Sequence, residues 1–177
     1  AHGLPMAILK LRIDYRSGDS EVVTSGPDWL TAPSPVTYSS IYGGEDYDAR
    51  LEQPGWDAPG FAGPSWTAAV AVDGPGGALK PETDHPLKVM EEFAAVRITR
   101  PRPGVWVYDF GQNASGIIRL SVRGTAGQTV RVTPGELLTG DGLVNQRASG
   151  EPSFWSYTLK GGGDEVYEPH FSFQGFR

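Results

Sequence analysis

Helix breakers set the first limit on what this chain can become. Glycine occurs 24 times and proline 15 times in 177 residues. A glycine inside a helix costs about 1 kcal/mol against alanine, and a proline about 3 kcal/mol. At this density long helices have no room, and short strands joined by many turns are the economical alternative. Aromatic residues make up 11% of the chain and apolar residues 38%, enough large side chains for a β core.

Periodicity supports the same reading. Leu9, Leu11, Ile13 and Tyr15 alternate with Lys10, Arg12 and Asp14, which predicts a half-buried antiparallel strand. Residues 16–19 then read as a turn and residues 21–24 as the returning strand of a hairpin. Residues 25–65 are irregular and rich in proline, with short strands expected near residues 29–31 and 47–51. Residues 66–72 read as a further strand, broken by Gly74, Pro75, Gly76 and Gly77. The polar stretch 78–86 is the expected boundary, dividing the chain into residues 1–84 and 85–177. Beyond it, residues 87–99 read as one long or two short strands, with a helix over 89–96 as the alternative. Residues 105–110, 116–122 and 129–132 read as successive strands. Residues 124–127 mark a turn, and residues 140–142 and 161–163 mark hairpins. Trp155, Tyr157 and Leu159 alternate once more. The expected fold is all-β, one or two antiparallel β-sandwiches of jelly-roll-like type, with a barrel as the nearest rival.

Charge and composition exclude several function classes. The formal charge is −6, from 15 basic and 21 acidic residues. No basic stripe offers itself to phosphates, so nucleic acid is not expected as a partner. There is no cysteine, hence no disulfide and no thiol nucleophile, and either redox compartment is compatible. No apolar run approaches the length of a membrane span, and Ala1 to Pro5 do not read as a secretion signal. A nucleophile elbow and a phosphate loop are both missing. His2, His85 and His170 have no zinc spacing.

Two constellations carry candidate chemistry. In the first, three carboxylates and an arginine, Glu45, Asp46, Asp48 and Arg50, fall within six residues that follow Tyr42 and include Tyr47. In an extended segment Asp46, Asp48 and Arg50 share one face, while Glu45, Tyr47 and Ala49 share the other. Asp46 and Asp48 could hold a hard cation such as calcium through oxygen. Alternatively, Asp48 and Arg50 form an ion pair that braces a loop. In the second, Gln112 and Asn113 follow Asp109, Phe110 and Gly111. Their amides both donate and accept, as sugar hydroxyls require. The alternative is a strand connection whose amides satisfy buried backbone groups. Of Trp29, Trp56, Trp66, Trp106 and Trp155, most are expected in the core rather than on a sugar-stacking surface.

These segments resemble a known family. Residues 41–50, then Pro54, Gly55 and Trp56, then Ser65 and Trp66, resemble the end of the N-terminal jelly-roll domain of bacterial α-L-rhamnosidases. Residues 108–116 resemble that family's Asp-Phe-Gly-Gln-Asn signature in the next β domain. Glu136 to Leu138, Gly140 to Gly142, Tyr157 to Leu159 and Gly175 to Arg177 follow in the family's order. The resemblance implies catalysis in a helical toroid that this sequence lacks, so no catalytic residue transfers to any position here. It also implies a start within the first jelly roll and an end within a strand of the second β domain. Some members carry a jelly-roll module that binds L-rhamnose through calcium, and by that resemblance Asp48 is the first metal candidate. Ala49 beside it offers only backbone atoms. The expected function is a carbohydrate-binding or scaffolding accessory unit of an α-L-rhamnosidase. Sugar would be read by Glu45, Asp48, Arg50, Gln112 and Asn113. Expected partners are L-rhamnose or a rhamnose-containing glycan, the parent's catalytic helical domain, and a second copy in a homodimer. The rivals are a purely structural domain and a small β-fold glycosidase.

Overall fold

The computed structural model describes residues 5–63, 65–74, 76–78, 80–147 and 152–177. His2, the start of the chain through Leu4, and the breakers Pro64 and Pro75 lie outside the described residues, as does Leu79 in the expected boundary. In chain order the first strands are β1 (Lys10–Asp14), β2 (Ser20–Thr24), β3 (Leu30–Thr31), β4 (Val36–Ser40), β5 (Gly44–Asp48) and β6 (Thr67–Ala68). Next come β7 (Arg97–Arg102), β8 (Val105–Asp109), β9 (Ala114–Gly116), β10 (Leu120–Arg123) and β11 (Thr129–Val132). The last are β12 (Leu137–Leu138), β13 (Val144–Asn145), β14 (Phe154–Thr158), β15 (Asp164–Tyr167) and β16 (Gln174–Phe176). The one helical piece among the described residues is a 3-10 turn, Ala49–Leu51. The chain is all-β, as the breakers require.

Two compact units form. One comprises the residues up to Pro33 together with Pro54–His85; the other comprises Ser34–Gln53 and Pro86–Arg177. The first unit ends at His85, and Ser34–Gln53 cluster with the second. Those residues supply β4 and β5, which hydrogen-bond into a sheet with β14. A strand inserted into another segment's sheet leaves no local mark in the sequence.

In the first unit, β1 and β2 pair from Lys10↔Thr24 to Asp14↔Ser20. Gly18, at φ 95°, closes the turn, where the Tyr15 N–H donates to Asp19 O at 2.9 Å. The hairpin is the expected one, yet Leu9, Leu11 and Tyr15 are exposed. The other described ladder of this unit, β3 with β6, is two residues long. That is too small to cover the hairpin's apolar face, and the strand expected over 66–72 shrinks to Thr67–Ala68.

The second unit is the sandwich. Its main sheet runs β11-β14-β5-β4. Two of its three pairings, β11 with β14 and β5 with β4, are antiparallel, but β14 and β5 run parallel, with Trp155 opposite Glu45 and Tyr157 opposite Tyr47. Parallel pairing suits segments far apart in sequence, because no hairpin can join them. Against this sheet lie the ladders β10-β15 and β9-β16. Trp155, Tyr157 and Leu159 point inward as their alternation predicts, and meet Tyr167 of β15, with Phe176 of β16 packed partly buried against them. Gly44, at φ 95°, sits against β14 so closely that a β-carbon would lie 1.9 Å from the Phe154 carbonyl oxygen. Only glycine fits there.

Several local expectations change. The strand expected over 47–51 begins earlier and ends at Asp48, whose carboxylate caps the 3-10 turn. Residues 87–96 form neither strand nor helix, and pairing starts at Arg97. The strand expected over 116–122 is two, because Ala114–Gly116 pairs with β16 and Leu120–Arg123 with β15. Residues 140–142 do close a hairpin between β12 and β13. Residues 161–163 instead turn a corner, since β14 and β15 belong to different ladders. Trp29, Trp56 and Trp106 are exposed, the last two at 61% and 55%, so most of the tryptophans are not core; Trp155 is fully buried.

Leu159 is 1% exposed at the centre of this core. Leu159→Ala is expected to destabilise the second unit by about 2–5 kcal/mol, since buried leucine truncation leaves a cavity. Urea denaturation followed by near-ultraviolet circular dichroism checks this, and a loss under about 1 kcal/mol would contradict the packing described.

Candidate functional site

The site grows out of β5. Alternation turns Glu45, Tyr47 and Ala49 to the inside and leaves Asp46, Asp48 and Arg50 on the outer face, as expected. What that means chemically differs between the two faces.

On the inner face, Glu45 has no exposed surface at all. A buried carboxylate must be hydrogen-bonded to persist, and this one is. The Tyr167 hydroxyl donates to Oε1 at 3.1 Å, and the His170 backbone N–H donates to Oε2 at 3.0 Å. His170 Nδ1 lies 2.9 Å from Oε1. A carboxylate accepts only, so Nδ1 carries the hydrogen and donates. Glu45 was expected to read sugar hydroxyls; the structure places it inside the sandwich with both oxygens taken. Beside it, Tyr47 stacks on His170 (5.3 Å between centroids, 8°) and on Tyr157 (5.7 Å, 20°). Tyr157 stacks on Tyr167 at 4.9 Å.

A second buried carboxylate, Glu165, mirrors the first. It accepts from the Tyr157 hydroxyl at 2.8 Å and from the backbone N–H groups of Lys160 (3.0 Å) and Gly161 (2.8 Å). Burial alone would raise its pKa, but these hydrogen bonds outweigh burial and hold it below the ordinary value. Glu165 thereby fixes the corner at residues 160–163. Tyr47 donates to Glu52 Oε1 at 3.2 Å, and Glu52 in turn pairs with Lys160. A cleft of about 310 Å³ opens here, with Tyr47, Glu52, Arg119, Val166, Glu168 and His170 on its walls.

On the outer face, the ion pair prevails over the metal. Asp48 Oδ1 accepts from the Arg50 backbone N–H (3.0 Å) and Nε (2.9 Å), and Oδ2 from Nη2 (2.7 Å). The Arg50 guanidinium and backbone hold the Asp48 carboxyl below its usual range. A cation at Asp48 would have to displace this two-pronged contact. Among the described residues, no three His, Asp or Glu side chains gather as metal ligands. The residues therefore do not fit a calcium site at Asp46 and Asp48.

The second constellation divides in two. Gln112 and Asn113 are exposed on the bend between β8 and β9. Asp109 and Phe110 are structural: Asp109 Oδ1 accepts from the Gly111 N–H (2.8 Å) and from Arg177 Nε (3.1 Å). These contacts lower its pKa, the Gly111 bond most. Phe110 meets Phe176 edge to face at 5.8 Å. So the signature near residue 110 ties the turn to the chain's last strand.

Sequence reading missed Tyr167, Glu165 and His170. His170 has no metal spacing because its partner is Glu45, 125 positions away. The available signal was the alternation of Glu165, Tyr167 and Pro169, all buried, which continues the inward pattern of β14.

With this geometry in place, comparison with known proteins is informative. Residues 2–91 match the model of the alpha-L-rhamnosidase N-terminal domain. Residues 99–177 match the bacterial alpha-L-rhamnosidase concanavalin-like domain. The class is thus an N-terminal and concanavalin-like β region of glycoside hydrolases. The chain belongs to the bacterial α-L-rhamnosidase family. It is 42% identical over 177 residues to an alpha-L-rhamnosidase of Streptomyces avermitilis, covering 98% of this chain and 17% of that protein. A Formosa agariphila alpha-L-rhamnosidase is 29% identical, over 100% of this chain and 19% of its own length. The crystal structure of the Streptomyces enzyme complexed with L-rhamnose superposes with a TM-score of 0.87 at 41% identity, over 96% of this chain and 17% of that one. The Dictyoglumus thermophilum α-L-rhamnosidase superposes at 0.89 and 35% identity, over 96% and 19%. The chain therefore spans less than a fifth of the length of these relatives.

The stacked tyrosines give a pH signature. Tyr47 is pushed up from 10.0 to about 12, first by burial, then by the charge and hydrogen bond of Glu52. Tyr157 and Tyr167 are raised further, again chiefly by burial. Raised phenol pKa values favour the folded state fully below the unfolded value and lose that contribution as pH climbs through the folded ones. In an absorbance titration of tyrosinate, these three of the seven tyrosines are expected to stay neutral near pH 10 and to ionise together with unfolding at higher pH. Ionisation of all seven near pH 10 with the fold intact would contradict the stack.

Proposed function

We propose that this chain is a non-catalytic accessory β region of an α-L-rhamnosidase that binds sugar and supports removal of terminal L-rhamnose by the parent enzyme. Family membership over a span under a fifth of the related enzymes carries this reading. Its own carboxylates support it too. Glycoside hydrolysis needs a carboxylic acid with a proton to give and a second carboxylate at a set separation. Here the two carboxylates at the cleft each face a cation, Glu52 with Lys160 and Glu168 with Arg119 at 3.5 Å. Glu45 and Glu165 are buried and committed to protein donors. The groups left to meet a hydroxyl-rich ligand are exposed amides such as Gln112 and Asn113 and the polar walls of the cleft.

One observation favours a second, scaffolding reading. Ile98, Trp106 and Tyr108 are exposed on the β7–β8 hairpin, with Arg100 lying 5.0 Å over the Trp106 ring. An apolar face of this kind suits a packed neighbour such as the parent's catalytic domain.

Calorimetric titration with L-rhamnose separates the readings. Weak binding, unchanged by a chelator, is expected, together with no turnover of an aryl rhamnoside. Absence of heat at millimolar sugar would remove the binding role and leave the scaffold; hydrolysis by the purified chain would overturn the non-catalytic assignment.

A further inference from the structure

We propose that the cleft beside β5 and β15 is a binding site for one 6-deoxy pyranose ring, read by hydrogen bonds on its polar walls and by Val166 at its methyl group. This rests on the sugar-binding reading above and gives it a place that none of the residues expected from the sequence occupies.

Size comes first. A volume of about 310 Å³ stands at the low end of small-molecule sites, whose range begins at about 300 Å³. That suits one or two sugar rings rather than a long chain.

Charge comes second. Glu52 is matched by Lys160 and Glu168 by Arg119. Arg119 stands on the walls and Lys160 just outside them, so each wall carboxylate is already matched by a cation and neither an anion nor a free cation is preferred. A neutral ligand is.

Donor and acceptor pattern comes third. Arg119 donates, Glu52 and Glu168 accept, and His170 is set by Glu45. With Nδ1 engaged on the buried carboxylate, Nε2 is the ring nitrogen left to meet a ligand hydroxyl, on a side chain that is 46% exposed. Glu45 therefore acts as a positioning residue for His170, and the His170–Tyr47 stack at 5.3 Å fixes the ring plane. The tyrosine faces are largely engaged with one another, so recognition proceeds through hydroxyls at the walls rather than through stacking. Mixed donors and acceptors on a fixed frame are what a polyol requires.

The apolar component comes last. Val166 is the one aliphatic side chain on these walls, and it is 54% exposed. A 6-deoxy sugar presents a methyl group where its 6-hydroxy counterpart presents a hydroxymethyl. Covering one methyl favours the deoxy sugar by about three- to fourfold.

The experiment is a titration of the isotopically labelled 177-residue chain with L-rhamnose and, separately, with L-mannose, its 6-hydroxy counterpart, followed by amide chemical shifts. The expected result is saturable shifts at Val166, Glu168 and His170, with L-rhamnose binding about three- to fourfold tighter. Arg119→Ala, on an exposed side chain, is expected to weaken binding about fivefold or more. Val166→Ser is expected to abolish the preference between the two sugars. Binding whose shifts lie elsewhere, with both variants unchanged, overturns this site and leaves the sugar-binding reading standing. Binding in the cleft with equal affinity for the two sugars overturns the methyl contact. No binding of either sugar overturns the broader reading and the site with it.

Discussion

The second unit hangs on the grip of one buried carboxylate across the sandwich. Glu45 arrives on β5, a strand delivered from a distant part of the sequence, and it is received by Tyr167 and His170 at the end of β15. A carboxylate without water is tolerable only when donors replace the water it has lost. Three donors do so here, and two come from one residue. Removing either side of this contact leaves the other buried and unpaired, which costs far more than the contact contributes when intact. The parallel ladder of β5 with β14 carries backbone pairing; Glu45 ties that ladder to the opposite layer.

Glu165 repeats the arrangement at the other end of the same strand pair. Between the two carboxylates lies the pile of Tyr47, Tyr157 and Tyr167, each hydroxyl committed to a carboxylate: Glu52, Glu165 and Glu45 in turn. The core of this unit is therefore part hydrocarbon and part hydrogen-bonded phenol. That composition explains how a chain so rich in glycine and proline still defines one packing. Phenol–carboxylate pairs specify position more narrowly than methyl groups do, because a displaced pair forfeits its bonds. The half-exposed edge of His170 is where this network reaches the surface, and the cleft forms there.

Much of this was legible in the sequence, and the parts that were not share one cause. The alternation of Trp155, Tyr157 and Leu159 reports a strand with one buried face. The alternation around Glu45 correctly separates the inner from the outer face of β5. Gly18 and residues 140–142 mark turns whose geometry is local. What stayed hidden depends on pairing at long range. Nothing near residue 45 indicates that its carboxylate will be received 125 positions later. A three-glycine run looks the same whether it closes a hairpin or turns a corner between ladders. Asp48 and Arg50 could serve a metal or each other by their spacing, and only the folded geometry shows the two-pronged ion pair. The exposed tryptophans misled for a different reason: size argues for burial, yet a chain of this composition encloses only a small core.

Family membership and local physics agree on what kind of object this is. The Asp-Phe-Gly signature near residue 110 is a fastener, joining a turn to the final strand through Asp109–Arg177 and Phe110–Phe176. The account stands or falls with the bond from the His170 backbone N–H to Glu45. Native-state hydrogen exchange reads that bond alone. If the carboxylate closes the sandwich, the His170 amide exchanges in step with the amides of β14, through opening of the whole unit. If His170 exchanges at the rate of an open loop while β14 stays protected, the carboxylate is not what holds the layers together.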